Sequence, residues 1–216
     1  MTRETEIKKL WLYKKVDSKT ILNLRAIKKD SYPINTILKA KDFDDIEDLK
    51  LAFEAEAFRL SDLGYIVYYV MNAIDENFVG KAASDRDIVC RQMLLIDIDK
   101  VGYVGECSNE YELNAAIHLG NSIASELESE GFGKPYRLMS GNGMHLYILL
   151  DDIVNNESNK ALIENVLKLL SEKFNNDIVH VDTCVFNAAR ITKVPGTIAS
   201  KGPNTADRPH RMAVVL

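Results

Sequence analysis

Two carboxylates end a short apolar segment of the chain. Asp97 and Asp99 are two residues apart at the end of residues 93–99. If that segment is a buried strand, its period of two points both carboxylates to the same face of the sheet. Two anions so close are costly unless a cation offsets their repulsion, and Mg²⁺ commonly takes one or two protein carboxylates together with substrate phosphates. Taken alone, such a pair is more often a solvated strand end.

A glycine-rich turn forms the second group. The run Ser140, Gly141, Asn142, Gly143, Met144, His145 passes from one predicted strand into the next. Its two glycines would let backbone N–H groups approach an anion, which suggests contacts from Ser140, Gly141, Asn142 and His145 to phosphates. The alternative is a plain hairpin turn next to a hydrogen-bonded histidine, and on this segment alone that alternative is favoured.

Cations follow the last of the predicted strands. Asp182 ends that strand, and Arg190 and Lys193 come soon after it, three residues apart. Arginine binds phosphate oxygens through a bidentate fork and lysine binds them as a point charge. Each cation alone could equally be a solvated side chain. Further basic side chains lie near the end of the sequence: Lys201, Arg208, His210 and Arg211.

The elements that must position these residues follow from hydrophobic periodicity. Residues 93–99, 135–140, 144–150 and 178–182 have the composition of strands. Asn109 and Glu112 have capping-box spacing and begin a predicted helix that Gly131 ends. Asn156 caps a second helix, with a predicted apolar face of Leu162, Val166, Leu169, Leu170 and Phe174. The order is β-α-β-β-α-β, which is the ferredoxin-like or RNA-recognition-motif-like plan.

This plan brings the three groups together. In its usual strand order the first strand lies between the third and the fourth. His145 and Asp182 would then flank Asp97 and Asp99. Carboxylates that hold ions beside cations that receive phosphates are the arrangement that two-metal nucleotidyl transfer requires.

The first part of the chain is less regular. Asp44 or Asp45 could cap a helix that ends before Gly64, and residues 66–70 form a strand-like run. We therefore predict an α+β protein with an N-terminal α/β subdomain, residues 1–90, packed on an RNA-recognition-motif-like catalytic subdomain, residues 91–216.

Composition limits the class of protein. The 216 residues carry a formal net charge of −5, which argues against a protein that coats nucleic acid with its whole surface. The segment from residue 186 to the end is locally basic, because Asp207 is its single acid against Arg190, Lys193, Lys201, Arg208, His210 and Arg211. The spacing of the three cysteines, Cys90, Cys107 and Cys184, is not that of metal ligands. No apolar run is long enough to cross a bilayer. We expect a cytoplasmic protein with no membrane partner.

Four segments together resemble the archaeo-eukaryotic primase superfamily, specifically the primase-polymerases of phages, plasmids and CRISPR-associated loci. They are LLIDID at residues 94–99, SGNGMHLYILL at 140–150, VDTCVFNAARITKVPGT at 181–197 and KGPNTADRPHR at 201–211. The match spans roughly residues 65–216. Many members have proline at the positions of Ala188 or Lys100.

The resemblance implies a function and a set of site residues. The chain would be a DNA primase or template-dependent polymerase that uses two Mg²⁺ or Mn²⁺ ions, NTP or dNTP, and a single-stranded DNA template and primer. A helicase or accessory domain would be a further partner. Asp97, Asp99 and Asp182 would be the catalytic metal ligands, and Ser140, Gly141, Asn142, His145, Arg190 and Lys193 would bind the nucleotide. Template or primer contacts would come from Asn72, Arg86, Arg91, Lys201, Arg208, His210 and Arg211.

Two other functions remain open at the level of sequence. A non-catalytic recognition-motif module would stack bases on aromatic residues of its sheet face, where this chain has carboxylates. A replication-initiator nuclease would use a tyrosine and two histidines close together on one strand. The predicted strand at residues 144–150 has His145 alone. The sequence has no recognisable zinc module or helicase domain, so we expect it to be the catalytic part of a longer protein.

Overall fold

The computed structural model describes residues 2–216 as a mixed α and β fold. The α-helices are α1 (Arg3–Lys8), α2 (Ile46–Asp62), α3 (Glu110–Ser129) and α4 (Glu157–Phe174). The first six strands are β1 (Ile21–Ile27), β2 (Ile34–Lys39), β3 (Ile66–Val70), β4 (Ala73–Ile74), β5 (Ile88–Lys100) and β6 (Tyr136–Met139). The other six are β7 (Met144–Val154), β8 (Val179–Val181), β9 (Ile191–Lys193), β10 (Ile198–Ala199), β11 (Arg211–Met212) and β12 (Val214–Val215).

The first sheet is antiparallel and has the order β2-β1-β3-β9. Helix α2 packs on it and begins where Asp45 accepts a hydrogen bond from the amide of Asp48. Leu49, Phe53 and Ala57 are fully buried on the face expected from their spacing. The cap and the strand at residues 66–70 are therefore confirmed.

The second sheet contains the four strands that the sequence predicted. Its order is β12-β6-β7-β5-β4, with β8 also paired to β5. Along the chain these strands and helices run β5-α3-β6-β7-α4-β8. Strand β5 lies between β7 and β8, so the first predicted strand is flanked by the third and the fourth, as expected.

The helix caps on this sheet are as predicted, but one helix face is not. Asn109 and Glu112 form the capping box of α3, and Asn156 caps α4. The predicted face of α4 is wrong in part, because Leu162 and Leu169 are 58% and 65% exposed. Leu170 is buried as predicted, and Ile163 and Leu167 are buried in place of Leu162 and Leu169. Its leucines are numerous enough to allow two apolar stripes, and packing selects the stripe that faces the sheet.

The glycine-rich run predicted between two strands forms the hairpin turn between β6 and β7. The amide of Ser140 donates to the carbonyl of Gly143 at 2.9 Å, so Gly141 and Asn142 are the central residues. Gly141 has φ +98°, a left-handed backbone conformation that favours glycine.

A single apolar cluster joins residues from both halves of the chain. It extends from Ile7 in α1 to Val215 in β12 and includes the buried faces of α2, α3 and α4. The predicted boundary at residue 90 falls inside β5, and β9 from the second half joins the first sheet. The division into two subdomains thus stays a prediction. In residues 2–216 no helix is both long and apolar enough to span a membrane.

Candidate active site

A cavity of about 270 Å³ opens where the two sheets meet. Strands β1, β3 and β9 line it from the first sheet, and β5 and β7 line it from the second. Its polar wall consists of Asp97, Asp99, Ser140, Asn142, His145, Asp182, Arg190, Thr192, Lys193 and Lys201. The rest of the cavity lining consists of Ile27, Ile66, Tyr68, Ile191 and Ala199. The three separate sequence groups therefore lie around one space.

Strand pairing places the carboxylates. Asp97 on β5 is directly opposite His145 on β7, and Asp99 is opposite His180 on β8. The amide of Asp182, just after β8, donates to the carbonyl of Asp97 at 2.8 Å. All three aspartates consequently reach the cavity from neighbouring strand ends.

The two carboxylates on β5 influence each other strongly. The negative charge of Asp97, followed by burial, raises the pKa of Asp99. Burial would also raise the pKa of Asp97, but the attraction of His145 and of two cavity cations outweighs it and lowers that pKa. The pKa of Asp97 therefore lies below that of Asp99, as expected of two carboxylates that share a site.

One oxygen of Asp97 lacks a hydrogen bond. Nε2 of His145 lies 3.3 Å from Oδ1, an ion-pair distance without hydrogen-bond alignment. Oδ1 is thus buried with no donor among the described residues. Since a buried charged oxygen without a partner is costly, this atom suits a cation.

No complete protein-only metal site is preformed. Within residues 2–216, no three His, Cys, Asp or Glu side chains are grouped closely enough to hold an ion between them. The carboxylate of Asp182 instead lies 3.6 Å from the guanidinium of Arg190. The donors do fit an ion that takes one or two carboxylates from the protein and its other oxygens from substrate phosphates and water.

The turn after β6 is built to lie against the end of β5. A Cβ on Gly143 would collide with the carbonyl oxygen of Ile98, so only glycine fits there. The amide of Gly143 donates to Oγ of Ser140 at 3.1 Å. Ser108 holds Asn142 through its amide and its hydroxyl. Ser140 and Asn142 line the cavity, whereas Gly141 packs against Ala199 and is not in the lining.

Three cations also line the cavity. Lys193 is 2% exposed, and its Nζ donates to the carbonyl of Ile198 at 2.9 Å and lies 5.4 Å from the centre of the Tyr68 ring. Burial, followed by repulsion from Lys201, lowers the pKa of Lys193 to about 7. Arg190 and Lys201 complete this group. Three carboxylates and three cations thus line one cavity, and Arg190 lies 3.6 Å from Asp182.

Two neighbours of His145 were missed from the sequence. Nδ1 of His145 is 3.1 Å from both the Tyr147 hydroxyl and the Thr192 hydroxyl. Tyr147 could have been identified, since it is two residues after His145 on the same strand face. Thr192 gives no such indication, because its contact with His145 spans 47 residues.

The upstream residues predicted to contact template are mostly engaged inside the fold. Asn72 is buried, donates to the carbonyl of Ala188 and accepts from the amides of Gln92 and Met93. Arg91 is 2% exposed and donates to the carbonyl of Phe186. Arg86 is exposed, in a single turn of 3-10 helix.

The basic segment near the end is anchored by acids. Arg208 pairs with Glu106 and Glu112, and Arg211 pairs with Glu110. Nε2 of His210 is 2.9 Å from the carbonyl of Gly202. These contacts fix the loop that carries Lys201 at the cavity, while Arg208 and Arg211 are already paired.

Comparison with solved structures identifies the fold. The model superposes on a crystal structure described as primase RepB′ with a TM-score of 0.55 and 10% sequence identity, covering 99% of this chain and 56% of that chain. A polymerase domain of Ligase D from Mycobacterium tuberculosis, in complex with DNA, gives a TM-score of 0.47 and 16% identity, covering 88% of this chain and 63% of that chain. The first match shows that the chain has the fold of that primase, and the second is too distant to add to it.

The chain spans 56% and 63% of the lengths of these two solved chains. No protein-family model matches the sequence, and no curated protein matches it significantly. The likeness therefore concerns the fold, and function must be argued from the site.

Proposed function

We propose that this chain is the catalytic core of a primase-polymerase, which adds an NTP or dNTP to a 3′-hydroxyl on a DNA template. The observation that carries this proposal is the cavity that Asp97, Asp99 and Asp182 line together with Arg190, Lys193 and Lys201. The fold shared with primase RepB′ supports it.

The carboxylate side of the cavity would hold divalent cations. Asp97 and Asp99 supply the oxygens, and the buried Oδ1 of Asp97 has no other partner among the described residues. Asp182 is available once a substrate phosphate draws Arg190 away from it. When bound, two Mg²⁺ or Mn²⁺ ions would stabilise the attacking and leaving oxygens of the transfer.

The cation side of the cavity would bind the triphosphate. Arg190 can form a bidentate contact with phosphate oxygens, and Lys193 and Lys201 add point charges. Nε2 of His145, beside Asp97, is placed to donate to a phosphate oxygen. In the reaction the 3′-hydroxyl releases its proton to water and its oxygen forms a bond to the α-phosphorus. The bond from that phosphorus to the α,β-bridging oxygen breaks, and pyrophosphate leaves toward these cations.

The size of the cavity indicates which part of the nucleotide it encloses. About 270 Å³ is slightly below the roughly 300–1,000 Å³ of sites that bury a whole small-molecule ligand. The triphosphate end would lie inside, with the sugar near Ile27, Ile66 and Tyr68 and the base outside with the template. Exposed Arg86 and the loop that follows Lys201 are the proposed template and primer contacts.

A primer-extension assay tests this function. The protein is incubated with single-stranded DNA template, labelled nucleotides and Mg²⁺ or Mn²⁺, with and without a primer. Asp97→Asn should lower incorporation roughly a thousandfold, because several kcal/mol of transition-state stabilisation are lost. Asp151→Asn is the matched control, since Asp151 is exposed on β7 outside the cavity.

The length of the labelled product distinguishes the possible activities. Product longer than the input supports the proposal, and product without primer adds de novo priming. Shortened DNA would indicate a nuclease, and a mobility shift without any change in length would indicate a binding module. Equal incorporation by Asp97→Asn and the wild-type chain would remove Asp97 from the active site.

A further inference from the structure

Three buried side chains form a closed triangle at the wall of the cavity, which His145 and Thr192 line. Nδ1 of His145 is 3.1 Å from each of the Tyr147 and Thr192 hydroxyl oxygens, and these two oxygens are 2.7 Å apart. His145, Tyr147 and Thr192 are 7%, 0% and 1% exposed. At this burial, every donor in the triangle needs an acceptor.

The triangle crosses from one sheet to the other. His145 and Tyr147 lie on β7 of the second sheet, two residues apart and on one face. Thr192 lies on β9 of the first sheet, where it is paired with Tyr69 of β3. Thr192 therefore fixes the imidazole from outside its own sheet, so the ring has contacts from two directions.

Counting protons selects one form of the neutral imidazole. If Nδ1 accepts, one hydroxyl donates to Nδ1 and the second donates to the first hydroxyl oxygen, so both hydroxyl protons are used. If Nδ1 carries the proton instead, one hydroxyl proton has no acceptor, because within the described residues neither hydroxyl has a hydrogen-bond partner outside the triangle. A buried unsatisfied donor is costly, which favours the form with the proton on Nε2.

We propose that Thr192 and Tyr147 are positioning residues that hold His145 with its Nε2–H directed into the cavity. Nε2 is the ring atom beside Asp97, 3.3 Å from Oδ1. That the ring is held in this form follows from the triangle alone. That Nε2–H donates to a substrate phosphate rests on the proposed function.

The imidazole form can be measured without any activity. Nitrogen-15 NMR of the histidine rings, recorded well above the ordinary imidazole pKa, distinguishes protonated from unprotonated ring nitrogens, and His145→Asn assigns the signals. The wild-type chain should show His145 with Nε2 protonated and Nδ1 unprotonated. Thr192→Val keeps the side-chain shape but removes the hydroxyl and should give a mixture of the two forms. Thr192→Ser should restore the wild-type spectrum.

Nucleotide kinetics test the second half of the inference. Thr192→Val should raise the nucleotide KM about tenfold, as expected when a hydrogen bond to a charged group is misdirected, with a smaller change in kcat. Thr192→Ser should recover most of that loss. Tyr147→Phe is a second variant that removes one hydroxyl of the triangle without touching β9, and it should show the same KM-weighted effect.

The possible results separate the two proposals. A wild-type ring protonated on Nδ1, or a ring unchanged in Thr192→Val and Tyr147→Phe, would overturn the positioning role whatever the activity. The expected spectra from a chain that incorporates no nucleotide would uphold the positioning role and overturn the proposed function. Altered spectra with unchanged nucleotide KM would overturn the phosphate contact of His145.

Discussion

The backbone amide of Asp182 donates a hydrogen bond to the carbonyl oxygen of Asp97 at 2.8 Å. This contact continues the pairing of β8 with β5 beyond the last residue of β8. It fixes two carboxylate-bearing segments to each other across 85 residues of chain. The spacing of the acids in the cavity is therefore set by backbone pairing, which side-chain substitutions at these positions leave in place.

The coupling between Asp97 and Asp99 can be tested by removing one charge. Asp97→Asn eliminates the largest cause that raises the pKa of Asp99. The pKa of Asp99 should then fall toward the ordinary aspartate value, because burial is the remaining cause that raises it. Carboxyl carbon-13 NMR titration without divalent ions measures this shift. An unchanged or higher pKa would show that the two carboxylates do not share a site.

Divalent cations should stabilise the folded chain. The pKa of Asp99 is raised in the folded chain. The stability that this shift contributes is fully present at pH values below the pKa of Asp99 in the unfolded chain, and it is lost as the pH rises through the pKa of Asp99 in the folded chain. Above that pH both carboxylates are ionised, so Mn²⁺ should raise the Tm and a chelator should reverse the rise. Asp99→Asn should reduce this response and Asp151→Asn should leave it intact. An equal response from both variants would place the ion elsewhere.

The buried charge of Lys193 should reduce the free energy of unfolding at neutral pH. Its pKa is lowered by burial to about 7, so between that pH and the ordinary value of 10.5 the unfolded chain binds more protons and stability rises with pH. Lys193→Met removes the buried charge. Its gain in unfolding free energy should be larger near about pH 6 than near about pH 10. Denaturant unfolding at both pH values measures this, and a gain independent of pH would contradict it.

Gly143 is needed for space, whereas Gly133 is needed only for its positive φ. A Cβ there would meet the carbonyl of Ile98, a backbone atom that cannot turn away. Gly143→Ala should therefore cost about 3 kcal/mol or more. Gly133→Ala is the control: its φ is +73° and no atom lies within 4 Å of the added Cβ, so it should cost only about 1–2 kcal/mol. Thermal or denaturant unfolding compares them, and equal costs would mean that the turn can move away from β5.

Much of the second sheet could be predicted because its patterns are local. The capping box at Asn109, the Asn156 cap and the alternating strands each lie within one segment, so periodicity and spacing identify them. The face of α4 could not be chosen, because Leu162 and Leu169 form an apolar stripe as regular as the buried one. Only packing against the sheet decides between the two.

The rest of the site depends on contacts that are distant in sequence. Strand β9 has three residues and pairs with β3 more than 100 residues earlier, which no local pattern indicates. The hydroxyl of Thr192 reaches His145 only through that pairing. In the same way, the spacing of Arg208 gave no sign that Glu112 would neutralise it.

Anomalous diffraction from crystals grown with Mn²⁺ and a non-hydrolysable nucleoside triphosphate would locate the ions themselves. Manganese should appear within coordination distance of the Asp97 and Asp99 carboxylates, with the triphosphate against Arg190 and Lys193. Manganese bound away from these aspartates, or a triphosphate bound outside the cavity, would contradict the proposed two-metal nucleotidyl transfer.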